Sequence, residues 1–253
     1  MGINYGPPPI VSNGLVFCMV ALDRASYPGS GTTWSSVLGT NNNISTVDGT
    51  LTNSPTFDTE GHFSFNASDN EYVDLGDRFE NWSESPNRTL CMWIMNSGNT
   101  ANEVRIFNTP LDPSGDKTAF SLGMNRMNSS GNDNKLFYFY RTAAAGAIID
   151  TYGDALNTTS WYHCCLTANS TTGAGKAYTN GVLQATASNV GNPQLASSGW
   201  DSNDNAKIAE AWYPSGSPYN FNGKVACVQL YNRDLTASEI LQNFNAQRGR
   251  FGV

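Results

Sequence analysis

The sequence is poor in charge, and poorest in positive charge: 14% of its 253 residues are charged, with 14 Lys and Arg against 21 Asp and Glu. The formal net charge is -7 and the basic residues are scattered. A phosphate-backbone partner needs them clustered, so nucleic acid is excluded as a partner. No run of about eighteen apolar residues occurs, so no membrane-spanning helix and no membrane partner are expected. The opening MGINYGPPPI has neither a charged start nor an apolar segment, and no signal for secretion is read there. The five cysteines, Cys18, Cys91, Cys164, Cys165 and Cys227, form no C-x-x-C pair. Four of them sit in apolar runs, so buried free thiols acting as small hydrophobes are expected. His62 and His163 are the only histidines, and neither lies beside a Ser or Cys elbow motif, which argues against a hydrolase triad. Retaining glycoside hydrolysis needs two carboxyls about 5 Å apart, and no E-x-D-x-x-E run supplies them. Glu71, Asp74, Asp77 and Glu80 are spaced by three across a D-L-G turn and read as solvated loop carboxylates. The expectation is no catalytic residue and no enzyme.

What the chain has in quantity is turn chemistry. Twenty-four Gly and eleven Pro, with many Asn, Ser and Thr, suit short strands joined by turns. Residues 14–22 read as a buried strand followed by the turn Y-P-G-S-G, with Trp34 anchoring the next loop, and residues 41–55 as a polar, turn-rich stretch. Phe63 and Phe65, then Tyr72, Val73 and Leu75, predict two strands with a tight connection. Residues 89–95 are apolar on both faces and predict a central strand. Residues 104–107, 119–122, 136–140, 161–166 and 206–212 are further strands. Asn180-Gly181 between K-A-Y-T and V-L-Q predicts a type I′ hairpin, because both central residues must take positive φ. With no helix alternating with strand, a parallel βαβ architecture is excluded, and about a dozen antiparallel strands in two stacked sheets are expected.

The C-terminal stretch carries the clearest elements. Residues 224–231 are apolar on both faces and predict an interior strand. Thr236 and Glu239 form a capping box for a short helix whose stripe is Ile240, Leu241 and Phe244, with Gly249 placed to end it. Val16, Met92, Trp93, Val228, Leu230, Leu241 and Phe244 are expected to be buried.

Four stretches occur in a telling order: GLVFCMVALDRASYPGSGTTW (14–34), FSFNASDNEYVDLG (63–76), SWYHCCLTANSTTGAGKAYTNGVLQ (160–184) and FNGKVACVQLYNRDLTASEILQNFNAQRGRFGV (221–253). Together they resemble concanavalin A-like, laminin G-like jelly rolls over nearly the whole chain. The resemblance implies an all-β fold, a two-sheet antiparallel jelly-roll sandwich with one short C-terminal helix. One sandwich domain over 13–253 would follow an extended arm over 1–12. The opening, S-Y-P-G-S-G-T-T-W behind a Pro-containing leader, is similar to structural proteins of tailed phages, marine and cyanobacterial ones especially. That implies a virion structural protein, a capsid decoration or head-fibre subunit, made in the host cytoplasm and located in the virion. The alternative is a carbohydrate-binding adhesin, a tail fibre or surface lectin, contacting host polysaccharide.

Two sets of site residues follow. Sugars are held by aromatic faces with planar polar groups, and Trp200, Trp212, Tyr213 and Tyr219 cluster in a loop-rich region with Asp201, Asn203 and Asn220. The same aromatics would equally serve to plug the ends of a sandwich. Assembly is expected to use the arm, through Tyr5, Pro7, Pro8, Pro9 and Ile10, since consecutive prolines stiffen it in an extended form. The arm is expected to lie outside the sandwich and to become ordered on an adjacent copy or on the underlying shell protein. Expected partners are other copies of the chain, a trimer by resemblance, other virion proteins and host surface glycan. No cofactor and no metal ligand are expected, with calcium as the alternative. Asp201, Asn203 and Asn205 match the start of a calcium loop, but Ala206 stands where Gly is required. The set that the resemblance implies, Asp69, Asn70 and Asp74, is preceded by Asn66-Ala67 where many relatives read Asp-Gly.

Overall fold

A computed structural model describes residues 8–38, 48–76, 86–98, 103–110, 118–125, 134–140, 155–188, 205–211 and 219–253. In chain order the first strands are β1 (Leu15–Val20), β2 (Thr33–Ser35), β3 (Asp48–Thr52), β4 (Thr56–Asp58), β5 (His62–Phe65) and β6 (Tyr72–Asp74). Then come β7 (Asn87–Asn96), β8 (Val104–Pro110), β9 (Thr118–Met124), β10 (Leu136–Tyr140) and β11 (Tyr162–Asn169). The last are β12 (Ala174–Thr179), β13 (Val182–Ser188), β14 (Lys207–Ile208) and β15 (Gly223–Tyr231), followed by the helix α1 (Ala237–Phe251). They build two antiparallel sheets, one ordered β13-β12-β11-β7-β15-β5-β4 and the other β10-β9-β8-β14-β6-β3-β2. This is the all-β, two-sheet antiparallel sandwich with one C-terminal helix that the sequence predicts.

The strand β15 is the seam of the first sheet. One edge pairs with β7 along its whole length, while the other is shared in succession by β5, opposite Gly223 to Val225, and β1, opposite Cys227 to Tyr231. The main core lies between the sheets and includes Phe17, Trp34, Phe63, Met92, Leu122 and Leu230. A second apolar layer lies outside the first sheet, where Trp93, Ala226 and Cys227 meet Phe244 of α1 and Cys91, Cys165 and Tyr231 meet Ile240. Central strands of this sheet are therefore dry on both faces, which is why their sequences carry apolar residues without alternation.

Several expectations need correcting. The stretch read as polar and turn-rich holds β3, whose alternate residues Gly49 and Leu51 are buried while Asp48 and Thr50 are exposed. The strands β5 and β6 do have the expected tight connection, a 3-10 turn over Ala67–Asp69, and it carries the chain from one sheet to the other. The strand read over 206–212 is only two residues long, because Ala209 adopts a φ of 71° and breaks it. Helix α1 runs past Gly249 to Phe251 and is capped by Gly252 at φ 69°. A glycine inside a helix costs about 1 kcal/mol relative to alanine. The cost is offset by Phe251, whose ring stacks on Trp93 with centroids 4.0 Å apart. Of the residues expected in the core, Leu241 is 45% exposed, whereas Val16, Met92, Trp93, Val228, Leu230 and Phe244 are buried. Leu241 sits one position round from the docked stripe and leans over the hairpin turn, where a Cβ on Gly181 would meet its Cδ1 at 2.9 Å. That turn has the expected form, with φ of 52° at Asn180 and 78° at Gly181.

Candidate functional site

Register in the second sheet sets a row of polar side chains on the face that points away from the core. Val73, Ile208, Phe107 and Leu122 are opposite one another in neighbouring strands and belong to the core. Side chains alternate along a strand, so the adjacent positions face outward. These are Thr50 of β3, Asp74 of β6, Lys207 of β14, Asn108 of β8 and Ser121 of β9, each paired with the next. Directly opposed residues on one face lie close enough to interact, so a sheet brings together groups that are far apart in sequence.

Lys207 is the centre of the row. Its Nζ donates to Glu210 Oε1 at 2.5 Å and lies 4.6 Å from the centroid of the Tyr72 ring. Lys207 and Glu210 are both buried although they point away from the core, while Tyr72 is half-buried. Beside them Asn205 Nδ2 donates to both oxygens of Asp74, at 2.8 and 3.0 Å, and the backbone N–H of Gly76 donates to Asp74 Oδ1 at 2.8 Å. Asn108 is 6% exposed, and its Oδ1 has no hydrogen-bond partner among the described residues. A second charged pair, Arg105 with Glu103, lies along the same face. The Arg105 guanidinium stands 4.8 Å from the Phe137 ring centroid and 5.9 Å from that of Tyr219. The face thus offers a partly open aromatic ring and a fixed amide–carboxylate pair, with cations already neutralised by carboxylates.

Of the residues expected to hold sugar, Tyr219 joins this region, with its backbone tied to Ala211 and Arg105. Trp200, Trp212 and Tyr213 lie outside the described residues. Tyr5 and Pro7 of the arm also lie outside them. Pro8 and Pro9 are exposed and Ile10 is half-buried. The arm was expected to stand outside the sandwich, yet its end is held by the chain's own helix. Gln242 Nε2 donates to Pro9 O at 2.8 Å, and the Val11 N–H donates to Asn243 Oδ1 at 2.8 Å. Of the calcium set, Asp69 accepts from Asn66 Nδ2 at 2.6 Å, Asn70 Oδ1 accepts from Asn220 Nδ2 at 2.6 Å, and Asp74 is taken by Asn205. Burial pushes the nearby Glu71 carboxyl upward, against the Asn66 N–H that donates to it at 2.7 Å.

Sequence reading missed Tyr72, Lys207 and Glu210 as site residues. The signal was present in A-K-I-A-E-A over 206–211, where two charges interrupt an apolar segment in a chain with few charges.

A family model described as the concanavalin A-like lectin/glucanases superfamily matches residues 65–241, well over half of the chain. The chain belongs to this superfamily. Among solved structures, Trypanosoma rangeli sialidase in complex with sialic acid aligns with this concanavalin A-like chain at a TM-score of 0.64 and 19% identity. The alignment covers 94% of this chain and 33% of the sialidase. The same sialidase with the inhibitor DANA gives a TM-score of 0.64 at 18% identity, over 96% of this chain and 36% of that one. The concanavalin A-like chain therefore spans about a third of the length of these sialidase chains, and the likeness shows the fold alone. It also corrects the expectation that the chain is no enzyme: sialidase structures align along nearly all of it, so the missing carboxylate run does not by itself exclude one. No curated protein matches the sequence.

Proposed function

We propose that this chain is a carbohydrate-contacting module, and that the sugar lies against Tyr72 on the outer face of the second sheet. The reading is carried by one observation: a half-buried Tyr72 ring, steadied by Lys207 and flanked by the Asp74–Asn205 pair. A saccharide presents a C–H face, which packs on an aromatic ring, and hydroxyl edges, which need planar donors and acceptors held in place. Asn205 and Asp74 supply such a pair, and Thr50 stands exposed beside Asp74. Lys207 is already paired with Glu210 and the chain carries a net charge of -7, so the fit is to neutral rather than polyanionic glycans. The test is a glycan array with the full chain, followed by titration of the best ligand. Tyr72→Ala is expected to weaken binding about tenfold, while Tyr72→Phe keeps most of it and melts like the wild type. A wild-type chain that binds no glycan, or a Tyr72→Ala chain that binds equally well, overturns the reading. Assaying reducing-sugar release from the bound glycan shows whether the contact is also catalytic.

The setting we propose for this module is the surface of a virion, on the similarity of S-Y-P-G-S-G-T-T-W (26–34) behind the Pro-containing leader to structural proteins of tailed phages. Many copies on one particle would turn a weak sugar contact into firm attachment through effective concentration. Quantitative mass spectrometry of purified particles is expected to find the chain in multiple copies, and its absence from them defeats this setting.

A further inference from the structure

The outer face of the first sheet, under α1, carries a cluster of soft ligand atoms unrelated to the sugar face. Cys165 of β11 is directly opposite Cys91 of β7, and His163, two residues before Cys165, is opposite Trp93. The alternation of side chains puts Cys91, His163 and Cys165 on one face and sends Cys164 into the core between the sheets. The two Sγ atoms and a His163 ring nitrogen all lie within 4.8 Å of one another, and all three residues are fully buried. Cys165 Sγ is 3.5 Å from His163 Nε2 and 3.6 Å from Nδ1.

We propose that Cys91, His163 and Cys165 bind a thiophilic metal ion, zinc(II) by charge balance. Zinc holds sulfur at about 2.3 Å and imidazole nitrogen at about 2.0 Å, so tetrahedral angles place those two ligand atoms about 3.5 Å apart. The Cys165–His163 separation already has this value. Two thiolates and a neutral imidazole around a divalent ion sum to zero charge, which a fully dry site favours over a net charge. The imidazole is otherwise poorly served. A neutral ring has one donor and one acceptor to satisfy, and among the described residues the partners of its nitrogens are the thiols of Cys165 and Cys91. Its other neighbours are the rings of Trp93 and Phe244, with centroids 5.2 and 6.1 Å away. The roof of the site is fixed independently. Asn243 of α1 accepts from the Val11 N–H and donates to Tyr231 Oη at 3.0 Å, so the helix is pinned beside the cluster. With α1 closed over it, the ion enters as the chain folds, and binding then contributes to folding.

The test uses the full chain, unfolded in reductant and refolded with zinc(II), cobalt(II) or copper(I), then freed of loose metal by gel filtration. Elemental analysis is expected to give about one ion per chain. The cobalt form is expected to show thiolate-to-cobalt charge-transfer bands. Both signals should fall to background in Cys165→Ser and His163→Asn and persist in Cys164→Ala. Should the ligand variants fail to refold, X-ray absorption on the wild-type chain decides, with a mixed sulfur and nitrogen shell at about 2.3 and 2.0 Å expected. Retention of copper(I) but not zinc(II), with the same variant pattern, keeps the site and overturns the choice of ion. Substoichiometric retention of every ion, or equal loss of metal in Cys164→Ala, overturns the site itself.

Discussion

Glu239 has two partners at the start of α1, and they make it the acid-sensitive point of the C-terminal region. Its oxygens receive both ends of the Arg233 fork, at 2.9 and 2.7 Å, and Oε2 also accepts from the Thr236 N–H at 2.9 Å. Arg233 in turn donates through Nε to Asn13 O at 2.9 Å, tying the helix start to the entry of β1. The guanidinium, joined by the Thr236 N–H and acting against partial burial, holds the Glu239 carboxyl down to about 2. A folded-state value below the ordinary one means that the unfolded chain takes up a proton that the folded chain refuses. The resulting stability is fully present above the ordinary carboxylate range and is lost as pH falls toward about 2. Glu239→Gln removes the charge, and is expected to cost about 1 kcal/mol at neutral pH and to flatten the acid limb. Thermal melts of both chains across that range check this; parallel loss of stability on acidification would mean that the pair plays no such part.

At the scale of elements, legibility followed dryness and special backbone geometry. Strands β7, β11 and β15 could be read because both faces are covered, and the hairpin at Asn180-Gly181 because only certain residues tolerate positive φ. The capping box was equally local, three residues apart. Strand β3 was hidden because alternate residues of a half-wet strand are polar, and Asp48 and Thr50 made it look like loop. Gly249 misled because local propensity favours a stop there, while the docking of Phe251 on Trp93 lies beyond any local window. The sugar face was illegible for a different reason. Tyr72 and Lys207 are set side by side by the pairing of β6 with β14, and a register between distant segments leaves no mark in either one alone. The same holds for Cys91, which meets Cys165 only through the pairing of β7 with β11.

At the scale of the molecule, the first sheet depends on a pairing between strands near opposite ends of the chain. Closure of so large a loop is slow, since its entropy is lost before the contacts that offset it are made. The seam strand β15 is also translated after every other strand described. Until it emerges from the ribosome, β1 and β5 have no bridge to β7, and both sides present unpaired backbone edges to whatever is nearby. Stalled chains that stop before Gly223 are expected to be protease-sensitive and chaperone-bound, and chains released after Phe251 to become resistant. Protection already complete in the shorter chains would show that the sheet assembles without its seam. In a cell, then, each nascent copy carries an open edge from the synthesis of β1 until β15 emerges, and the order of translation decides how long that hazard lasts.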